Sequence, residues 1–546
     1  MHSKGQSFIK GAAILGIAAL ISKLLGAVYR IPYQNITGDV GLAVYNKVYP
    51  IYSMLLIIAT AGFPIAISKM VSERLALGDK RGAKRIFRIS AYILSMTGIL
   101  FFIILYFGSD LLAVLMGNQQ LSIAIKSVSF ALLIVPLMAA IRGYYQGHQY
   151  MVPTAYSQIV EQIVRVITIL VLSYWFIKND YGVYYAGAGA VFGAFSGAIF
   201  AFAVLLLFWK KTNRMTDEIF LSHGQVEIQQ FSQQPVVGII KKILYYSIPI
   251  ALGSLILPLF GVVDSFSVSN LLQALGFEKN QSEYWFGIYT RGQPLVQFTA
   301  FFATSLSLAL VPSISEASAR KNHQLIQERT DLALRLTLLI GLPASVGLAV
   351  IAEPANILLY ENNVGTKTLA ILAFTSMFST LGITSSGILQ GIGQVILPAR
   401  NLFIGVIIKL VLNLILIRTF GIDGAALATV SAYAVATFLN LIAVNQYTGI
   451  KIGFLNFFVK PTIATLMMGA IVWIAKEFLE LAISPFIPKE RLLMAVVSIV
   501  SVSLGIIVFA FSLFIFGAIT KKDLINTPKV GKKLITFTER LRILKD

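Results

Sequence analysis

The chain contains no cysteine, and only four histidines among 546 residues. Disulfides and thiolate metal sites are excluded, and the histidines show no metal-ligand spacing. Charge is scarce as well. Charged residues make up 12% of the chain, against about 25% in an ordinary soluble domain, and Asp and Glu number 24 against 44 Lys and Arg. No stretch of polar sequence is long enough for a separate soluble catalytic domain. The external loops carry no Asp cluster, His pair or nucleotide-binding motif, which argues against a membrane glycosyltransferase and against any enzyme.

What remains is apolar. Hydrophobic residues are 57% of the chain and mean hydropathy is +0.79. A hydrocarbon core about 30 Å thick requires roughly 20 apolar residues per helix. The pattern predicts an all-α polytopic membrane protein with about fourteen spans, at 8–32, 46–69, 89–109, 122–142, 155–177, 184–209, 242–270, 284–312, 333–353, 367–390, 400–419, 424–446, 460–482 and 492–517. The first stretch contains Lys23 and Arg30 and is read as a retained helix, because a signal peptide has an uncharged apolar region.

The net charge of +20 does not indicate nucleic acid. About 30 of the basic residues fall in alternate loops and the two termini, about 7 in the other loops and about 7 within helices, which is the positive-inside asymmetry. The basic loop from Lys69 to Arg88 and the tail from Lys521 to Lys545 are therefore expected in the cytoplasm, against anionic lipid headgroups, with both termini inside.

The halves repeat. Gly143, Gln146 and Gly147 recur as Gly387, Gln390 and Gly391 at an offset of 244, and Ser72–Glu73 recur as Ser315–Glu316 at an offset of 243. LLGAVYR (24–30) corresponds to LFGVVDS (259–265), with the shortfall absorbed by an insertion around Gly276 to Glu283. Six helices per half give both halves the same orientation, a parallel pseudo-two-fold repeat. The expected organisation is an N-terminal six-helix lobe (1–209), a cytoplasmic linker (210–241), a second six-helix lobe (242–447), two additional membrane helices (448–520) and a basic cytoplasmic tail (521–546). Gly26, Gly62, Pro64, Pro258 and Pro294 are expected to interrupt helices.

Lys23, Arg30, Arg291 and Lys409 lie within expected spans, and Arg165 is a fifth base with Glu161 one turn away. A charge at bilayer depth costs at least about 2.5–3.5 kcal/mol, so it faces a bundle interior or a wet cavity. Five bases against two deep carboxylates, Glu161 and Asp264, point to an anionic cargo. The planar guanidinium fork of Arg30 and Arg291 suits phosphate oxygens, although Arg30 also lies close enough to a helix end to reach the headgroups. Glu161 and Arg165 form an i,i+4 pair, either a clamp within the lobe or a substrate contact. Asp264 is either an ion- or proton-coupling residue or the counter-ion of an embedded base. Lys409 and Asn413 make a stripe on the eleventh span. Lys126 and Lys476, near helix ends, are expected to snorkel.

Three segments, ISKLLGAVYRIPY (21–33), GYYQGHQYMVPTAYSQIVEQIVRV (143–166) and YTRGQPLVQF (289–298) running on to LVPSISEA (310–317), are similar to the multidrug/oligosaccharidyl-lipid/polysaccharide (MOP) exporter superfamily. Within it the chain resembles the MurJ-type lipid II flippases, near the branch that includes the stage V sporulation protein B. The resemblance covers the whole chain. It implies two six-helix lobes that alternate between inward- and outward-open, and a cargo such as lipid II, an undecaprenyl-diphosphate-linked sugar. It implies a role in peptidoglycan synthesis and cell shape in the bacterial plasma membrane. It further implies substrate contacts at Arg30 and Arg291, with Lys23 where relatives carry arginine, and sodium coupling through the positions of Asp264 and Asn413. Coupling to protons or to membrane potential is equally compatible. No cofactor or nucleic acid is implied. The expected partners are the lipid cargo, membrane lipids and the cell-wall machinery, and the expected state is a monomer. The competing readings are a multidrug or cation antiporter on the same fold and a flippase for another undecaprenyl-diphosphate polysaccharide.

Overall fold

The structure, a computed structural model, describes residues 2–221, 235–450 and 455–517. The basic tail and the centre of the expected linker lie outside the described residues. All regular structure among the described residues is helical. The chain divides into two compact units, Met1–Thr290 and Arg291–Asp546.

The first unit contains α1 (His2–Val28), α2 (Arg30–Thr60), α3 (Phe63–Ala76), α4 (Lys80–Phe107), α5 (Ser109–Leu115), α6 (Leu121–Ser129), α7 (Ala131–Gly147), α8 (Val152–Lys178), α9 (Val183–Leu221), α10 (Val236–Ala274) and α11 (Lys279–Thr290). The second contains α12 (Gln293–Ala319), α13 (His323–Val350), α14 (Ala352–Tyr360), α15 (Thr366–Ala373), α16 (Thr375–Gly391), α17 (Ile396–Phe420), α18 (Ile422–Thr448), α19 (Lys460–Ile483), preceded by a π-helical turn at Leu455–Val459, and α20 (Glu490–Ile515). Twelve helical stretches among the described residues are long and apolar enough to cross a membrane. One of them, Ile14–Ala76, is about three times the length a single crossing needs and holds two of the expected spans. The protein is therefore an all-α, multi-pass membrane protein.

Several boundaries differ from the sequence reading for local reasons. The first span runs on past Tyr29 to a turn at Gly38, which sits at φ 69° inside α2, a conformation that favours glycine. The second span breaks again at Gly62, at φ 78°, and Pro64 starts α3. Pro294 likewise sits at the start of α12. Gly26 and Pro258, expected as interruptions, leave α1 and α10 continuous. Gly26 instead gives room for Gln162, whose Nε2 would lie 3.4 Å from a Cβ there, and membrane helices tolerate proline where neighbours satisfy the freed backbone group. α9 continues into the expected linker as far as Leu221, since residues 210–221 contain neither Gly nor Pro to stop it. By packing, α10 and α11 lie on α2 within the first unit. The compact units thus follow helix packing, whereas the 242–447 division follows sequence repetition.

The repeat is built into each unit. α7 and α16 both span 17 residues and end on the repeated glycine, at Gly147 and Gly391. A Cβ on Gly147 would meet the Val71 side chain at 2.6 Å and the Ser68 carbonyl at 3.1 Å, and one on Gly391 would meet Ile314 at 3.0 Å and the Val311 carbonyl at 3.3 Å. Ser68 and Val71 on α3 correspond to Val311 and Ile314 on α12 at the offset of 243. Small residues at the crossing let two helices approach closely. Gly147→Ala is expected to cost about 1–3 kcal/mol through overpacking, read as a lowered melting temperature of the purified protein. The cost should be smaller for Gly391→Ala, whose neighbours are farther off. No change for Gly147→Ala would contradict the close crossing.

Candidate functional site

In the first unit the aromatic side chains of the α1–α2 junction form a ladder. Tyr45, Tyr49 and Tyr52 follow one another at helical spacing on α2, which puts them on one face. Tyr45 and Tyr49 stack with centroids 5.3 Å apart, and Tyr49 and Tyr52 are 5.9 Å apart. Tyr29 and Tyr33 meet Tyr45 edge-on at 5.8 Å each. The Tyr29 hydroxyl donates to Tyr45 Oη at 2.5 Å, and Tyr33 Oη donates to the Gly41 carbonyl at 2.8 Å. Tyr52 is fully buried, and its hydroxyl has no hydrogen-bond partner among the described residues.

Two guanidinium groups flank this ladder. Arg30, 8% exposed, has Tyr29, Tyr45 and Tyr49 as electrostatic neighbours. It is buried rather than extended along the helix surface. Arg165 on α8 has Tyr45, Tyr49 and Tyr52 as neighbours, so Tyr45 and Tyr49 are common to both. The expected pair is present: Arg165 Nη2 donates to Glu161 Oε1 at 2.8 Å. The other carboxylate oxygen, Oε2, accepts from Arg142 Nη2 at 2.8 Å, and Arg142 Nε donates to Ser157 Oγ at 3.0 Å. Arg142, near the end of α7, is a member the sequence reading missed. One glutamate between two arginines leaves one positive charge, and Arg30 adds another beside the same tyrosines. Such charge in a low-dielectric interior is costly unless an anion or strong dipoles balance it. Hydroxyl dipoles and two planar forks are a donor set for phosphate oxygens. Lys23, seven residues before Arg30 on α1, is exposed.

A second polar layer in the unit joins α2 to α10 and α11. Lys47 and Glu283 are both fully buried, with Lys47 Nζ 2.6 Å from Glu283 Oε1. Lys47 Nζ also donates to the Met116 carbonyl at 3.0 Å and lies 5.4 Å from the Phe286 ring centroid. Asn46 Nδ2 donates to Thr290 Oγ1 at 2.9 Å, and Ser265 Oγ to the Lys47 carbonyl at 3.0 Å. Asp264 is buried and accepts from Tyr289 Oη at 2.9 Å. The embedded Lys47 thus has Glu283 as its carboxylate, not Asp264.

In the second unit Arg291 is 1% exposed. Its Nη1 reaches Asn362 Oδ1 at 2.8 Å, the Val364 carbonyl at 3.1 Å and Asn356 Oδ1 at 3.3 Å. The guanidinium lies 5.1 Å from the Tyr360 ring centroid, and Tyr360 Oη donates to the Arg291 carbonyl at 2.7 Å. These contacts tie the start of α12 to α14 and the turn that follows it. Hydrogen bonds to a charged group contribute about 1.5–3 kcal/mol each, so Arg291→Ala is expected to lower the melting temperature and the amount of folded protein, with Arg291→Lys intermediate. An unchanged melting temperature would contradict this anchoring. Lys409 and Asn413 are both buried on α17. Asn413 belongs to the second unit and Asp264 to the first. Among the described residues no group of three or more His, Cys, Asp or Glu could hold a metal. Lys476, expected to snorkel, is buried and pairs with Glu477 at 3.0 Å and Glu353 at 3.8 Å, because α14 brings a carboxylate to its helix. Lys126 pairs with Asp110 at 3.1 Å.

Comparison with known proteins agrees with this architecture. Residues 8–318 match the family model described as polysaccharide biosynthesis protein, and residues 249–415 match the MatE model. The chain is 35% identical over 97% of its length, and 96% of the relative's, to the uncharacterized membrane protein YabM of Bacillus subtilis (strain 168). From the same organism, the lipid II flippase MurJ is 29% identical, covering 94% of this chain and 96% of that protein, and the stage V sporulation protein B is 26% identical, covering 97% and 99%. The solved inward closed conformation of lipid II flippase MurJ superposes with a TM-score of 0.67 at 17% identity, over 94% of this chain and all of that one. An inward-facing multidrug resistance MATE family transporter gives 0.59 at 17% identity, over 80% of this chain and 98% of that one. The chain therefore belongs to the polysaccharide biosynthesis protein family, on the MurJ-type branch of the MOP superfamily, a family of transporters and not of enzymes.

Proposed function

We propose that this protein is a flippase that moves a lipid-linked anionic oligosaccharide from the inner to the outer leaflet of the bacterial plasma membrane by alternating access, with peptidoglycan lipid II as the cargo. Both termini lie in the cytoplasm in this proposal, and the protein serves peptidoglycan synthesis and cell shape. The observation that carries it is the gathering of buried guanidinium groups in the first unit, where Arg30 and the Arg142–Glu161–Arg165 cluster share one tyrosine ladder. A diphosphate needs two or more cationic partners, and the polyprenyl tail can remain in lipid while the headgroup is held. The names of the MurJ and stage V relatives support the class of cargo. Arg291, Lys409 and Lys23 are further candidates for cargo contact, each tested by its Ala substitution with transport and folded protein measured together. Asp264 and Asn413 are the proposed coupling residues, for sodium or protons.

The test is complementation. A cell depleted of its own lipid II flippase should grow when supplied with this chain. Failure to grow, with the protein folded and inserted, would remove lipid II as the cargo. The match of residues 249–415 to the MatE model favours a second reading, export of cations or drugs. Under it, complementation fails and resistance to cationic drugs rises.

A further inference from the structure

Where α3, α4 and α10 meet at one end of the first unit, a recess of about 240 Å³ is lined by Met70, Glu73, Arg74, Leu77, Ile86 and Lys242. Its walls are of two kinds. Met70, Leu77 and Ile86 are apolar, whereas Arg74, Lys242 and Glu73 bring two positive charges and one negative. Arg74 is steadied by Asp79, with Nη1 and Oδ2 3.2 Å apart, and Asp79 also accepts from the Gly82 amide at the start of α4. Around the recess the field is strongly positive. Seven bases and two acids lie between Lys69 and Arg88, and Lys241 stands next to Lys242. Of these bases, Arg81, Lys84, Arg88, Lys241 and Lys242 are exposed. Lys69 is held in place by Tyr246, donating to Oη at 3.1 Å with Nζ 4.1 Å from the ring centroid.

The same end also exposes apolar and aromatic side chains. Leu77 is 59% exposed and Tyr245 75%. Exposed tyrosine beside clustered bases marks the level of lipid headgroups, and basic pockets between membrane helices are suited to anionic headgroups. A soluble anion has no use for the apolar wall, whereas a lipid places its glycerol and upper acyl chain there. Asp79 balances Arg74 and Glu73 opposes Lys242 at the recess itself, so the surplus that draws a phosphodiester comes from the exposed bases around it, Arg81, Lys84, Arg88 and Lys241.

We propose that this recess is a binding site for the headgroup of an anionic phosphodiester lipid of the surrounding bilayer, such as phosphatidylglycerol, and that its occupation fastens α10 to α3 and α4. The site is separate from the tyrosine-ladder cluster and does not depend on which cargo the protein carries.

The test uses the full-length protein purified in neutral detergent. Phosphatidylglycerol, phosphatidylcholine, glycerophosphoglycerol and inorganic phosphate are added in turn, with bound lipid counted by native mass spectrometry and the melting temperature followed. Phosphatidylglycerol alone is expected to be retained and to raise the melting temperature. One base near a headgroup is worth about 1 kcal/mol, so Lys242→Gln should weaken retention about fivefold and Lys241→Gln/Lys242→Gln about 25-fold. Glu73→Gln should strengthen it, an effect that general loss of folding cannot produce. Lys126→Gln, on another part of the unit, should leave retention unchanged. Equal stabilisation by phosphatidylcholine, or undiminished retention in the double variant, would overturn the site. An equal effect of glycerophosphoglycerol or phosphate would overturn its assignment to a lipid.

Discussion

Arg30→Ala is expected to abolish transport while the protein still folds and accumulates in the membrane. The argument starts from burial. The guanidinium is held among Tyr29, Tyr45 and Tyr49, near a cluster that holds two further arginines. Removing it should leave the protein folded, with a melting temperature close to that of the native chain. Transport should fall sharply. Two charge-assisted hydrogen bonds to a phosphate, at about 1.5–3 kcal/mol each, correspond to a loss of roughly 100-fold or more. Arg30→Lys should recover part of the activity, since an ammonium keeps the charge but not the planar fork. Transport by the well-folded Ala variant at the wild-type rate would remove Arg30 from the cargo site. A collapse of stability would show that it is a structural pin.

The largest stability effect is expected at Lys47 and Glu283. Both side chains are fully buried and 2.6 Å apart, so removing one leaves the other charged in a low-dielectric site. Lys47→Met or Glu283→Leu alone should cost about 3–5 kcal/mol, whereas the double variant should recover most of that loss, because a buried ion pair is often replaceable by apolar side chains of similar volume. Thermal melting of the four proteins of the cycle measures the coupling. Additive losses would mean that the pair does not hold α2 to α11.

Much of this architecture is legible in the residue order, and the reasons are physical. Apolar stretches of about 20 residues announce membrane helices, and the Gly-Gln-Gly signature announces the repeat, whereas the close crossings of α7 on α3 and of α16 on α12 at its glycines show only in the fold. The i,i+4 pairing of Glu161 with Arg165 is local and therefore readable. Pairing across distant elements is not. Arg142 closes an expected span at its cytoplasmic end, where a positive-inside pattern accounts for it, and only folding shows that it shares Glu161 with Arg165. Lys47 and Glu283 are 236 positions apart, each near an expected helix end, so neither looks embedded in the sequence. Arg291 stands out for its charge, but nothing in the residue order marks the Asn356 and Asn362 oxygens that meet it.

The most direct test of an anionic, lipid-linked cargo is the exposure of lipid II on the outer leaflet. Cells depleted of their own flippase and supplied with this chain or its Arg30→Ala variant would be treated with a membrane-impermeant enzyme that cleaves lipid II. The account predicts cleavage with the native chain and protection with the variant at equal protein levels. Protected lipid II in cells that contain the folded native chain would contradict it.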